Sequence, residues 1–209
     1  MTIFTARRAA QRRELAPFLS TGALMHVLAI VGSTRAASTN RRLAETALAQ
    51  LPEGSTGSIS ELPAHLPFYD EDVDSAGAPD AATRLRAEVG EADAVLLVTP
   101  EYNGGMSAVA KNAIDWLSRP FGDGIIKGKP VLVLGATMSA RGAQWAREEA
   151  VKSVTIAGGL PLQRHLGVPS AFEAFDEDAL REPELHDDLR TLVGDLLTAA
   201  AESREPAGV

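Results

Sequence analysis

The segment that most constrains the fold is DAVLLVTP (93–100), which is apolar without a break from Ala94 to Val98. A strand with one face in water alternates polar and apolar residues. An unbroken run therefore belongs in the middle of a parallel sheet covered on both sides, and parallel strands need crossover helices to join them. The rest of the chain supplies both. HVLAIV (26–31), GSISEL (57–62), KPVLVLGA (129–136) and a short run within LPLQRHLGVP (160–169) read as further strands. RRLAETALAQL (41–51), DAATRLRAEVGEA (80–92), SAVAKNAIDWLSR (107–119), ARGAQWAREEAVKSVTIAGG (140–159) and PELHDDLRTLVGDLLTAAAES (183–203) carry helical apolar spacing. Five strand–helix units predict an α/β fold, a three-layer, doubly wound sandwich around a five-stranded parallel sheet.

At 209 residues the chain suits one domain, expected over 25–203, with 204–209 a tail. Residues 1–24 read as an extension containing Arg7, Arg8, Arg12 and Arg13. ALMHVLAIV after those arginines superficially resembles a secretion signal, but it runs straight into GSTR. Cleavage there would remove the first strand, and Met25 stands immediately before that strand. The net charge of −8 argues against nucleic acid as a partner, because such binding neutralises phosphates with Lys and Arg. The absence of cysteine excludes disulfides, thiolate metal sites and cysteine nucleophiles, and leads us to expect a reducing, cytoplasmic setting. No apolar run approaches the roughly 20 residues that span a bilayer, so no membrane partner is expected.

Doubly wound sheets bind ligands beyond the carboxyl ends of their strands, which directs attention to residues 32–40, 100–106 and 136–143. In GSTRAASTN (32–40), Gly32 allows a sharp turn, and Ser33, Thr34, Ser38 and Asn40 supply neutral polar groups. Arg35 adds a planar positive charge, and the following helix contributes its free N–H groups. The pattern matches neither GxGxxG nor GxxxxGK[ST], and a terminal monophosphate fits it better than NAD or ATP. The plainer alternative is that Ser, Thr and Asn simply cap a helix.

The second loop opens TPEYNGGMSAVAKNAIDWLSRP (99–120). Taken with GSTRAASTN, GKPVLVLGA (128–136) and ELPAHLPFYDED (61–72), it resembles the NADPH-dependent FMN reductase family over about residues 26–165. That resemblance implies a flavodoxin-like fold with strand order 2-1-3-4-5 and FMN as cofactor, with NADPH or NADH as co-substrate. It also implies a small electron acceptor (a quinone, free flavin, azo compound or metal oxyanion) and a homodimer or homotetramer. By position, Ser33, Arg35, Ser38 and Asn40 would hold the FMN phosphate. Pro100, Glu101, Tyr102, Asn103 and Gly104 would line the isoalloxazine, largely through backbone groups, and Thr137, Ser139 and Gly142 would flank its other edge. The chain departs from the family pattern at Ser107-Ala108, where Pro-Gly often opens the helix, and at Ala143, where a second glycine is usual.

No catalytic side chain is expected, because bound FMN would carry the chemistry. A flavodoxin-type electron carrier and a redox-responsive flavin-binding protein are the competing readings. Carriers enclose the ring between bulky aromatics, whereas aromatics are 5% of this chain and Tyr102 is the sole one in the ring loop. Trp116 reads as a core or interface aromatic, with interface favoured because Ile114, Trp116 and Leu117 carry more apolar surface than one sheet face needs. YDEDVD (69–74) reads as a solvated loop, and no metal site is expected.

Overall fold

The protein is described here from a computed structural model covering residues 24–176 and 179–204; the extension expected over 1–24 lies outside them except for Leu24. The elements are β1 (His26–Val31), α1 (Thr39–Leu48), β2 (Thr56–Ser60), a 3-10 turn (Leu62–His65), α2 (Glu71–Gly77), α3 (Asp80–Glu91) and β3 (Ala94–Val98). They continue with β4 (Glu101–Tyr102), β5 (Gly105–Met106), α4 (Ala108–Leu117), β6 (Pro130–Ala136), α5 (Gln144–Ile156), β7 (Leu160–Pro161), β8 (Leu166–Val168) and α6 (Pro183–Arg204). The main sheet is parallel in the order β2-β1-β3-β6-β7, with β8 also on β6.

Period-two alternation on the central strands sends apolar side chains into two cores. Val27, Ala29, Val31, Leu96, Val98 and Leu134 pack with Leu43 and Ala47 of α1 and Leu189, Leu192 and Leu196 of α6. Leu28, Ile30, Val95, Leu97, Val131 and Val133 pack with Leu85, Ile114, Leu117, Ala146 and Val154 of α3, α4 and α5. Register aligns these residues across the sheet: Leu28 lies beside Val95, and Val95 beside Val131. Burying each large side chain contributes about 1.5–3 kcal/mol. The three-layer sandwich and its strand order follow the expectation from sequence.

Several local readings are corrected. The fifth strand is split into β7 and β8, because residues 163–165 leave the ladder where His165 turns to Arg147. The helix expected over 140–159, α5, begins at Gln144, because Ala143 adopts a left-handed conformation (φ 58°) that no helix propagates. YDEDVD contains the start of α2: Asp70 accepts N–H groups from Asp72 and Val73, and Glu71, Asp72 and Asp74 suit the positive end of the helix.

Trp116 is core, not interface. It is fully buried, and its indole N–H donates to the Pro67 carbonyl at 2.9 Å. Tyr69 meets the ring edge-on at 5.0 Å, and Arg86 covers it while gripping Asp74 through two 2.9 Å bonds. Asn112 fastens the same segment, donating to Pro67 and accepting from the Tyr69 N–H. Ile114 and Leu117 are equally enclosed, so the apolar surface of α4 is consumed within its own chain. Trp116→Phe is expected to cost about 1–3 kcal/mol in urea denaturation, with no change of oligomeric state by light scattering. Dissociation of an oligomer in this variant would return the ring to an interface.

Candidate functional site

Because β1, β3 and β6 are adjacent and parallel, the loops that follow them share one edge of the sheet. Gly32 makes the first turn. Its N–H donates to Val98 at 2.8 Å, and its carbonyl accepts the Ser107 hydroxyl at 2.6 Å. A Cβ there would stand 2.5 Å from that oxygen and 2.9 Å from the Ala110 methyl, so only glycine allows this approach. Residues 34–37 are exposed and Ser33 half-buried. Ser38 then caps α1 by accepting the Arg41 N–H at 3.1 Å. The first N–H groups of α1 have no partner within the helix and carry its positive end. Arg35 is exposed and has no ion-pair partner among the described residues. This turn can hold an anion.

The second loop is a tight hairpin of β4 and β5. Asn103 (φ 52°) and Gly104 (φ 77°) form its two-residue turn, the Asn-Gly pair that a type I′ turn favours. Two carboxylates fasten it to α5. Glu101 accepts the backbone N–H groups of Trp145 (2.9 Å) and Ala146 (3.2 Å), capping a helix whose own N-cap, Ala143, has no side-chain acceptor. Glu149 accepts the Met106 N–H at 2.7 Å. The Trp145 ring lies 3.2 Å from where a Cβ on Gly104 would be.

The third loop leaves β6 at Thr137, whose N–H donates to Val168 at 3.1 Å. Gly142 (φ 57°) is buried against the backbone of Gly167. Behind it lies Arg147, which is buried and, among the described residues, has no carboxylate at its guanidinium. Its Nε donates to the Gly142 carbonyl at 3.0 Å, and its Nη1 to the His165 carbonyl at 3.2 Å and to His165 Nδ1. Burial pushes the Arg147 pKa down, against the opposing charges of Glu148 and Glu101. Burial, and then the Arg147 charge, push the His165 pKa down. His165 is therefore held neutral, with Nδ1 as acceptor.

Asn40 ties the first loop to the third. Its Nδ2 donates to the Ala136 carbonyl at 2.9 Å, and its Oδ1 accepts the Ala136 N–H at 2.8 Å. The side chain is buried and these two bonds give it a framework role that the sequence does not announce; its second Nδ2 hydrogen is not used by Ala136. Of the other expected residues, Ser33, Arg35, Tyr102, Asn103, Gly104 and Ser139 border the open edge, and Thr137 is half-buried there. Pro100 is buried at the root of the hairpin. The Ser38 hydroxyl, the Glu101 carboxylate and Gly142 serve the framework. Trp145 and Arg147 were missed from sequence, since on an amphipathic helix they carry no motif.

The profile of the NADPH-dependent FMN reductase family matches residues 25–173. The chain belongs to that family. Family members are FMN-dependent oxidoreductases that use a nicotinamide nucleotide, and the fold described above is theirs. An NAD(P)H-dependent FMN reductase of Pseudomonas aeruginosa is 37% identical over 151 residues, 72% of this chain and 80% of that protein. A quinone reductase of Pseudomonas putida is 40% identical over 116 residues, 56% of this chain; the match spans 62% of that protein's length. Among solved structures, the flavoenzyme NAD(P)H:(acceptor) oxidoreductase FerB of Paracoccus denitrificans superposes with a TM-score of 0.74 at 28% identity. That match covers 86% of this chain and 99% of FerB.

Two outcomes follow for this family member. Asn40→Ala strands a buried N–H and a buried carbonyl at Ala136, and should cost about 2–5 kcal/mol in denaturant unfolding. The depressed His165 pKa means that the unfolded chain takes up a proton below the ordinary value of 6.5 while the folded chain resists it. Stability should therefore fall as pH drops through and below that value, and level off above it. In His165→Asn, which keeps an acceptor but cannot titrate, this acid loss should shrink in pH-dependent thermal melts.

Proposed function

We propose that the protein passes hydride from NAD(P)H through FMN to a quinone. The observation that carries the proposal is the shared edge: an anion-holding turn, a clamped hairpin and a third loop stand side by side on neighbouring parallel strands. Their donor set fits the parts of FMN. The N–H groups at the start of α1, the hydroxyls of Ser33 and Thr34 and the Arg35 guanidinium suit a dianionic phosphate. The flat hairpin from Pro100 to Gly104 offers backbone groups to an isoalloxazine ring, with Thr137 and Ser139 at the ring's other edge. The two-electron redox chemistry between nicotinamide and acceptor would be supplied by FMN held on these groups.

The chain's own task is positioning. Hydride transfer needs donor and acceptor atoms held roughly 3–3.5 Å apart, and it does not call for a side-chain acid. Glu101 and Glu149 fix the hairpin, and Asn40 fixes the phosphate turn relative to the third loop. The half-exposed Tyr102 leaves room for a second ring to stack. Quinone is the acceptor favoured by the relatives, among them a 2-hydroxy-1,4-benzoquinone reductase of Burkholderia that is 36% identical over 123 residues. Assembly as a homodimer or homotetramer is kept as what the family resemblance implies. Phe68 and Phe121 are the most exposed of the large apolar side chains among the described residues and are available for it in place of α4.

Anaerobic NADPH or NADH should bleach the bound flavin within turnover time, and 1,4-benzoquinone should restore its colour. Flavin that neither nucleotide reduces would contradict the reading and favour an electron carrier. Arg35→Ala should weaken FMN roughly tenfold or more while leaving riboflavin nearly unchanged, measured by fluorescence titration. Equal losses for both would remove the phosphate assignment.

A further inference from the structure

Beside the hairpin stands a pair of side chains that the flavin-binding role does not use. Trp145, in the first turn of α5, is 48% exposed. One part of its ring packs toward Gly104, and the Arg141 guanidinium lies over the ring at 4.3 Å from its centre. That distance is well inside cation–π range. Arg141 is itself exposed, and among the described residues no carboxylate pairs with it.

The pair is aimed by the backbone. Gly142 and Ala143 are consecutive left-handed residues (φ 57° and 58°), and Ala143 accepts this conformation although it carries a side chain. The reversal sets Arg141 above the first turn of α5. Glu101 accepts the Trp145 backbone N–H from the hairpin, so the turn that carries the indole is tied to the flavin loop. An exposed cation held over an aromatic ring, with no carboxylate partner among the described residues, costs conformational freedom and returns little to folding. A ligand that combines a flat ring with a negative charge uses both halves: the ring stacks against the Trp145–Arg141 shelf, and the anion takes the guanidinium's N–H donors.

We infer that Arg141 and Trp145 form a specificity subsite at the mouth of the flavin site for a planar group bearing an anion. This rests on the oxidoreductase reading above. Two substrates of that reaction carry such chemistry: NADPH, through its adenosine 2′-phosphate, and an acidic quinone bearing a carboxylate.

The test uses the FMN-loaded enzyme and stopped-flow rates, each anionic substrate paired with its less charged counterpart. NADPH is compared with NADH in flavin reduction. A carboxylated 1,4-benzoquinone is compared with 1,4-benzoquinone in flavin reoxidation. In Arg141→Gln the kcat/KM preference for the anionic member of one pair should fall roughly tenfold, chiefly through KM, while the less charged member changes little. A fall in the NADPH/NADH ratio assigns the subsite to the nucleotide, and a fall in the quinone ratio assigns it to the acceptor. Trp145→Leu should lower the same ratio by removing the stacking face, and Arg141→Lys should restore part of it. Ratios within twofold of wild type for both pairs, in an enzyme that still turns over, would overturn the inference alone. Wild-type flavin that neither nucleotide reduces would overturn it together with the function it rests on.

Discussion

The assembly of the site depends on one buried amide. β1 and β6 are not neighbours, since β3 lies between them, and the sheet ladder alone does not set the start of α1 against the end of β6. Asn40 does so, satisfying both the N–H and the carbonyl of Ala136 across 96 residues of sequence. A buried amide bonded at both its oxygen and its nitrogen is held in a single orientation, because the flipped one would set like groups against each other. The turn that can hold an anion and the loop that flanks a ring are therefore placed relative to each other before any ligand arrives.

The hairpin is fixed on the same principle but with charge. Glu101 and Glu149 each accept backbone N–H groups across the gap between the hairpin and α5, bonds stronger than neutral ones. Arg147 does the corresponding work at the far side, joining the carbonyls of Gly142 and His165. Most of the polar side chains near this edge thus hold backbone in place and leave the ligand to backbone groups, hydroxyls and Arg35. An active site whose cofactor brings the chemistry has this distribution of labour: rigidity from the buried polar groups, and an open face for substrates to exchange.

Much of this was legible in the sequence. The unbroken apolar runs at 26–31, 93–100 and 129–136 required a doubly covered parallel sheet, and the βα alternation set its wiring and the edge where the site lies. What stayed hidden was tertiary. The place of Asn40 in GSTRAASTN shows a polar residue beside a phosphate turn, and nothing local reveals that Ala136 also claims it. Trp116 was read as surplus apolar surface because its cover, residues 67–69 and Arg86, comes from earlier in the chain. The split of β7 from β8 depends on His165 meeting Arg147, a contact invisible to periodicity. The Asn-Gly hairpin turn, by contrast, carried a local signal in EYNGG and was overlooked.

The central claim is that a preassembled edge receives FMN with its phosphate on the α1 turn and its ring against the hairpin. A crystal structure of the FMN-loaded protein tests this most directly. The account predicts the phosphate within hydrogen-bond distance of Arg35 and the first N–H groups of α1, the ring beside residues 100–104, and Asn40 still bonded to Ala136. A phosphate bound away from Arg35 and the start of α1, an Asn40 side chain swung off Ala136, or a ring lying away from the hairpin, would contradict it.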